Sequence, residues 1–402
     1  MDDIVLVDGA RTPHGTLLGS LADVEAVELG RTAIDGLLER VDVGPEEVDW
    51  VSLGNAIQAG IGQVPGRQVV IKSELPNSTR TTTINEASGS GLRAITLAAD
   101  RIAAGEASIA IAGGFESMTN APWIVPDYRT GVRHGDVTMK DSMILDSLWD
   151  CNLDIHMGEI AERLVDRFDG EAISERSDRY DLSREAQDRY ALESHRRAAE
   201  AIEDGVFDDE VVPVQTGETT VDRDEGPRPE STIDDLDALS PAFRSDGTVT
   251  PGNASKLSDG AGVVLLADRE TAADAGLEPT ARLVDYDLVY REPDEFNEAV
   301  GDVVEEVLAA NDLEPADVDT CWINEAFAVQ SVYVMQRLGI DREAMNPLGG
   351  AVAFGHPIGA SGGMLAASLA SQLRRESLEY GLVGMSIGGG GAIMSLWENV
   401  TE

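Results

Sequence analysis

Ala87-Ser88-Gly89 opens an apolar-periodic run that extends through Ala99 and leads to the strand-like Ile109-Ala110-Ile111-Ala112 and the pair Gly113-Gly114. The same order returns near the other end of the chain. Ala360-Ser361-Gly362 opens a run through Leu373, then come Leu382-Val383-Gly384-Met385 and glycines from Gly388 to Gly391. A second pair of segments stands in register with the first. Glu28 to Val41 reads as a helix, followed by Gly44-Pro45-Glu46-Glu47-Val48-Asp49, an apolar strand and Asn55. Ala299 to Asn311 reads as its counterpart, followed by Glu314-Pro315-Ala316-Asp317-Val318-Asp319, Cys321-Trp322-Ile323 and Asn324. Two matched pairs imply a duplicated α/β unit, because alternating strands and helices build mixed sheets with helices packed over them. Each half is expected to bury one helix against its twin. The two Ala-Ser-Gly helix starts then approach a pseudo-twofold axis, and sites often form where halves meet.

The duplication divides the chain. Residues 1–119 with 249–270 form one half, 271–402 the other, and 120–248 an inserted loop domain. The insertion carries Pro122, Pro126, an acidic loop around Asp222 to Asp237, and a charged helix-like run from Ser183 to Asp204 that reads as a solvated lid.

Composition narrows the partners. Acidic residues number 74 against 30 basic ones, a net charge of −44, and Lys72, Lys140 and Lys256 are the only lysines. Such a surface repels nucleic acid and anionic lipid, so neither is an expected partner. Acidity spread along a lysine-poor chain suggests a halophilic protein, since in molar salt the Debye length is about 3 Å and self-repulsion is screened. Cys151 and Cys321 have no paired spacing, which leaves no disulfide framework or zinc ribbon to read. The N-terminus reads as a strand rather than a signal segment, and no apolar run is long enough to span a bilayer, so a cytoplasmic location is expected.

A further set of motifs lies along the whole chain. Arg11-Thr12-Pro13, Gly19-Ser20-Leu21 and Gln63-Val64-Pro65-Gly66-Arg67-Gln68 precede the first Ala-Ser-Gly; Gly113-Gly114-Phe115-Glu116-Ser117-Met118 and His156-Met157-Gly158 follow it. Then stand Gly247-Thr248-Val249-Thr250-Pro251-Gly252-Asn253-Ala254-Ser255, Asp259-Gly260-Ala261, Asn324-Glu325-Ala326-Phe327 and Gly349-Gly350-Ala351. Gly355-His356-Pro357-Ile358-Gly359-Ala360-Ser361-Gly362 and Ser386-Ile387-Gly388-Gly389-Gly390 complete the set. In this order, over nearly the full length, the chain resembles the thiolases, acyl-CoA acyltransferases that make or cleave 3-ketoacyl-CoA. The resemblance implies the thiolase fold: duplicated βαβαβαββ halves in a layered α-β-α-β-α core, with coenzyme A as a substrate and no cofactor. It also implies a homodimer or homotetramer, with Val125 to Met143 similar to an oligomerisation loop, and a possible small OB-fold protein as partner.

Two departures bear on the chemistry. The family's nucleophilic cysteine is matched by Ser88 and its second reactive cysteine by Ser386, while neither Cys151 nor Cys321 falls at a family cysteine position. A thiol is partly ionised near neutral pH; a hydroxyl needs an adjacent base to become a nucleophile. By resemblance His356 is that base, the Ser88 and Gly388 N–H groups form one oxyanion hole, and Asn324 with His356 forms another. Ser386 is left with a proton-relay or water-positioning role. The same resemblance assigns Arg228, Ser255, His156, Met157 and Phe243 to the substrate and coenzyme A site. The expected reaction is condensation or thiolysis of short 3-ketoacyl-CoA through an acyl-serine on Ser88. The alternatives are a non-catalytic CoA-binding or scaffold subunit, in which Ser88 marks lost chemistry, and an acyl-CoA hydrolase. His14, His134 and His195 lie in polar contexts and read as solvated surface residues.

Overall fold

The computed structural model describes residues 3–126, 128–169 and 180–401. The N-terminal half contributes β1 (Ile4–Arg11), β2 (Trp50–Gly54), β3 (Arg80–Ile84), β4 (Ile109–Ser117) and β5 (Ser258–Asp268). They lie side by side in the order β1-β5-β4-β2-β3, antiparallel for β1-β5-β4 and parallel from β4 through β2 to β3. The C-terminal half contributes β6 (Ala281–Tyr290), β7 (Thr320–Ile323), β8 (Tyr380–Ile387) and β9 (Gly391–Asn399), in the order β6-β9-β8-β7. Its directions repeat those of the first half strand for strand. Where the first half has β3, the second has only the parallel bridge between Cys321 and Met345. Two residue pairs, Val5 with Arg282 and Leu6 with Ala281, join the two sets of strands.

Four core helices complete the repeat: α1 (Ala26–Leu38), α2 (Ser90–Ala103), α3 (Phe296–Ala310) and α4 (Ser361–Arg375). The expected twin pair is α2 with α4, and both lie between the sheets. Leu92, Ile95, Ala98 and Ile102 of α2 share one buried cluster with Ala366, Leu369, Ala370 and Leu373 of α4. The outer helices α1 and α3 each cover the far face of one sheet, through clusters built on Val27, Leu29, Ile34 and Leu37, and on Val300, Val303, Val304 and Val307. The layering is therefore α-β-α-β-α.

Composition explains which helices go inside. A helix buried on several sides needs small residues so that backbones can approach, and α4 reads Ser-Gly-Gly-Met-Leu-Ala-Ala-Ser-Leu-Ala-Ser. A Cβ on Gly362 would stand 2.1 Å from the Leu92 backbone nitrogen, and one on Gly363 would stand 2.0 Å from the Gly262 carbonyl oxygen. The outer helices carry their apolar residues on one face instead, with charged residues such as Arg31, Asp35 and Glu305 on the other.

The insertion is anchored by buried charge. Arg11, at the end of β1, is fully buried; its Nε donates to Glu210 (2.5 Å) and its Nη1 to Asp224 (2.8 Å). His14 Nδ1 lies 2.9 Å from the same Asp224 oxygen. Burial alone would raise the Asp224 carboxyl, but the Arg11 charge and the His14 contact hold it well below the usual range. Removing one member of such a network strands a buried charge and costs about 3–5 kcal/mol.

Two expectations are corrected here. The run Arg184–Glu203 is not a solvated lid: Tyr190, Ala191, Ser194, His195 and Ala198 are buried on one face. Tyr190 and Ser194 donate to Glu325 at 2.7 and 2.9 Å, so the helix is a wall of the second half. His14 and His195 are likewise buried rather than solvated, while His134 is exposed. The sequence context misled because the partners are distant in the chain: Asp224 meets the His14 ring, and the Arg228 N–H donates to His195 Nδ1.

Candidate active site

Ser88 stands in a turn between β3 and α2. Ala87 takes φ +47°, the left-handed region that costs an alanine about 1–2 kcal/mol. The turn is over-determined by hydrogen bonds. Ala87 N–H donates to Asn85 Oδ1 (3.1 Å), Glu86 N–H to Ser90 Oγ (2.9 Å), and Ser90 Oγ–H to the Ala87 carbonyl (2.6 Å). Gly89 fits because a Cβ there would come 2.6 Å from Ile387. A sharp, strained strand-to-helix turn of this kind lifts its hydroxyl away from the helix and presents it to a cavity.

The opposing group comes from the other half. His356 Nε2 lies 2.9 Å from Ser88 Oγ, and its Nδ1 lies 2.6 Å from Ser361 Oγ. Ser361 Oγ–H in turn donates to the Pro357 carbonyl at 3.2 Å. That chain assigns the tautomer: Nδ1 carries the proton and donates to Ser361, and the Nε2 lone pair faces Ser88. Burial, reinforced by the nearby His14, pushes His356 down to about 3, so the ring is neutral at ordinary pH. A neutral imidazole facing a neutral hydroxyl is the ground state that an alcohol nucleophile requires; the proton moves only as the oxygen attacks.

Asn324, immediately after β7, puts Nδ2 3.3 Å from the same Nε2. Its position is fixed by its backbone, whose N–H donates to the Gly384 carbonyl (2.9 Å) and whose carbonyl accepts from Gln330 (3.1 Å). A cavity of about 60 Å³ opens in front of these groups, lined by Ser88, His356, Ser386 and Gly388 with Met157, Ser255 and Phe327. Ser386 is buried near the end of β8, where its backbone pairs with Ala392. Gly388 borders the nucleophile turn, its only close neighbour there being Ala87 Cβ at 3.7 Å from the position of a Cβ.

The residues assigned to substrate divide between the cavity and its approach. Met157 and Ser255 line it directly. His156 stacks on Phe243 at 4.7 Å between ring centroids, and Phe243 meets Phe327 edge-on at 6.3 Å. Of the three rings only Phe327 lines the cavity, with Phe243 and His156 in series beyond it, and burial lowers the His156 pKa, keeping that series uncharged. Arg228 is exposed and outside the cavity, with its backbone N–H donating to His195 Nδ1 at 3.1 Å. Its link to the centre runs through Lys256, whose Nζ donates to the carbonyls of Gly226 (2.7 Å) and Ala353 (2.8 Å). The Lys256 carbonyl accepts the His356 N–H at 2.9 Å. Burial pushes the Lys256 ammonium down to about 7, with the Arg228 charge adding to the effect.

Sequence reasoning missed Lys256 and Ser361 as parts of the site. For Ser361 a signal existed: it is the twin of Ser88 in the repeat. Lys256 had only its rarity in a chain of three lysines. Neither cysteine lines the cavity. Cys151 is exposed, and Cys321 is buried in β7, where burial pushes its thiol up to about 12. Among the described residues no cluster of His, Cys, Asp and Glu is arranged to hold a metal, and no helix is long and apolar enough to cross a membrane.

A serine in a strained turn, a neutral histidine from the twin half and an asparagine beside it define a site for acyl transfer. Residues 4–270 match the thiolase N-terminal domain and residues 277–399 the thiolase C-terminal domain. The chain belongs to the thiolase family, and by that membership it is an acyltransferase. It is similar to the acetyl-CoA acetyltransferase of Thiocystis violacea, 41% identical over 394 residues that cover 97% of each chain. It is 40% identical over 395 residues to that of Cupriavidus necator, covering 97% of this chain and 98% of the other. The crystal structure of the Bacillus anthracis acetyl-CoA acetyltransferase superposes with a TM-score of 0.93 at 35% identity, covering 100% of this chain and 99% of that one.

Proposed function

We propose that the chain forms and thiolyses short 3-ketoacyl-CoA, with coenzyme A as co-substrate, Ser88 as acyl carrier and His356 as its base. The observation that carries this reading is the 2.9 Å contact between Ser88 Oγ and an Nε2 whose ring is held from behind by Ser361. In the thiolysis direction Ser88 Oγ attacks the 3-keto carbon and its proton passes to Nε2. The bond between C2 and C3 then breaks; the acyl group stays on Ser88 as an ester, and the acetyl-CoA enolate takes a proton from the imidazolium. The coenzyme A thiol next gives its proton to Nε2 and attacks the ester carbon, and Ser88 leaves with that proton restored. The backbone N–H groups of Ser88 and Gly388 are the donors proposed for the acyl oxyanion. Asn324 and His356 face the enolate oxygen, and Ser386 relays a proton or positions a water.

An ester is less reactive toward a thiol than a thioester is, so deacylation is the expected slow step. The small cavity favours a short acyl group, in keeping with relatives named acetyl-CoA acetyltransferase. The scaffold reading is disfavoured by a site whose base, orienting serine and asparagine are all in place. The arm around Trp123, Tyr128 and Met139, all exposed, supports a homodimer or homotetramer, and the charge of −44 supports a halophilic cytoplasm. A small OB-fold protein remains the proposed hetero-partner.

The test is acetoacetyl-CoA thiolysis in molar KCl by the parent, Ser88→Ala and Ser88→Cys, with mass spectrometry of the protein after a burst. An acetyl ester on Ser88, activity lost in the alanine variant and kept or raised in the cysteine variant is the expected result. Equal inertness of parent and alanine variants overturns the reading; release of free acid without coenzyme A would replace it with hydrolysis.

A further inference from the structure

The pseudo-twofold relates polar side chains as well as strands. Asn55 follows β2 as Asn324 follows β7, and the preceding residues, Gly54 and Ile323, pair with Gly114 and Gly384. Two residues farther along those partner strands stand Glu116 and Ser386. With Ser361 the twin of Ser88, the set Ser88, Asn324 and Ser386 has a mate: Ser361, Asn55 and Glu116.

The mate set is closed to substrate. Asn55 and Glu116 are fully buried, and a Cβ on Gly359 would stand 2.7 Å from Glu116 Oε2 and 2.8 Å from Asn55 Cα. The space is occupied by the His356 loop itself. Glu116 Oε2 accepts the N–H groups of Gly359 and Ala56, each at 2.9 Å; Oε1 accepts Asn55 Nδ2 (2.8 Å) and the Ile57 N–H (3.3 Å). Gly359 lies midway between His356 and Ser361, so one contact of the mate set holds the loop and another, through Ser361, holds the ring.

We propose that Asn55 and Glu116 are positioning residues for His356: the mate of the active site has become the clamp on the catalytic loop of the opposite half. The inference rests on reading His356 as the base for Ser88. An ionised carboxylate that accepts four donors in a dry interior fixes its partners far more firmly than a neutral acid, which has one oxygen committed to its own proton.

Burial pushes the Glu116 carboxyl up to about 7, and the negative charge of Asp259 acts in the same direction. The other titratable groups at this loop are His356, already neutral above about 3, the nearby His14, lowered by its own burial, and Lys256, whose contact to His356 is through its backbone carbonyl. The sign follows. As pH falls through about 7 the clamp takes up a proton, the loop loosens and kcat falls, although the base itself is unchanged.

Glu116→Gln keeps the size of the side chain and turns one acceptor into a donor that faces N–H groups. The measurements are kcat, KM for acetoacetyl-CoA, the pH profile, and the ¹⁵N spectrum of histidine-labelled protein. With five histidines in the chain, the His356 signals are assigned by their loss in His356→Gln. The expected result is a kcat reduced about tenfold or more at pH 8 with KM held within about twofold, and loss of the acid limb near neutrality. The His356 nitrogens should shift from one fixed tautomer toward an averaged pair. Asn55→Ser, which removes one donor to Oε1, should give the same changes on a smaller scale and stands in if Glu116→Gln does not fold. A folded Glu116→Gln with the parent's kcat, acid limb and His356 resonances overturns the proposal, as does a loss confined to KM. If the parent itself proves inert the functional reading fails, and the nitrogen spectra still decide the clamp.

Discussion

Two Ala-Ser-Gly triplets begin the two central helices, and they perform opposite tasks. At the first, Ala87 is forced to φ +47° and Ser88 is left half-buried, facing the cavity. At the second, Ala360 has ordinary right-handed angles, φ −93° and ψ −28°, and Ser361 is buried behind His356. One hydroxyl is presented as a nucleophile; its twin is folded inward to orient the base that acts on it. The difference teaches that identical local sequence in a duplicated chain acquires its role from what the opposite half places against it.

The sharpest break of the comparison is kinetic. Ser88→Ala should lower kcat for acetoacetyl-CoA thiolysis about 10⁴-fold, and Ser361→Ala about 10²-fold, because the first removes the acyl carrier and the second only the partner of Nδ1. Equal losses would mean that Ser361 does more than orient. The glycines that follow separate the twins by stability. Gly362→Ala drives a Cβ against the Leu92 backbone and should cost about 3 kcal/mol in salt-matched chemical denaturation. Gly89→Ala meets chiefly the movable Ile387 side chain, with the Glu86 carbonyl oxygen farther off at 3.3 Å, and should cost about 1 kcal/mol. The alanines give the smallest effect and one of opposite sign. Ala87→Gly should stabilise by up to about 1 kcal/mol by relieving the left-handed strain, whereas Ala360→Gly should destabilise by about 0.5–1 kcal/mol. If Ala87→Gly also lowered kcat without unfolding, the strain itself would be shown to aim Ser88.

Much of this is legible in the sequence alone. The repeat announced twin halves and a shared helix pair, because two pairs of matching segments recur in the same order in both parts of the chain. The motif order pointed to Ser88, His356, Ser386 and Gly388, which line one cavity from positions up to 300 residues apart, and to Asn324, which reaches His356 beside it. The approach was less legible. Arg228 does not enter the cavity, and Lys256 escaped notice because a single lysine carries no pattern. The helix Arg184–Glu203 looked solvated because its charges dominate its composition; only the fold shows that Tyr190 and Ser194 turn inward to Glu325.

By itself the sequence determined the layers, the order of the halves and the chemical types available to the site, since periodicity, glycine placement and residue identity are local properties of the chain. Only the tertiary structure decided which of two serines faces the cavity, which nitrogen of His356 carries the proton, and that Glu116 closes on the loop of the other half. These depend on hydrogen bonds between groups far apart in sequence. Their geometry follows from how two similar halves pack, and no single stretch of sequence encodes it.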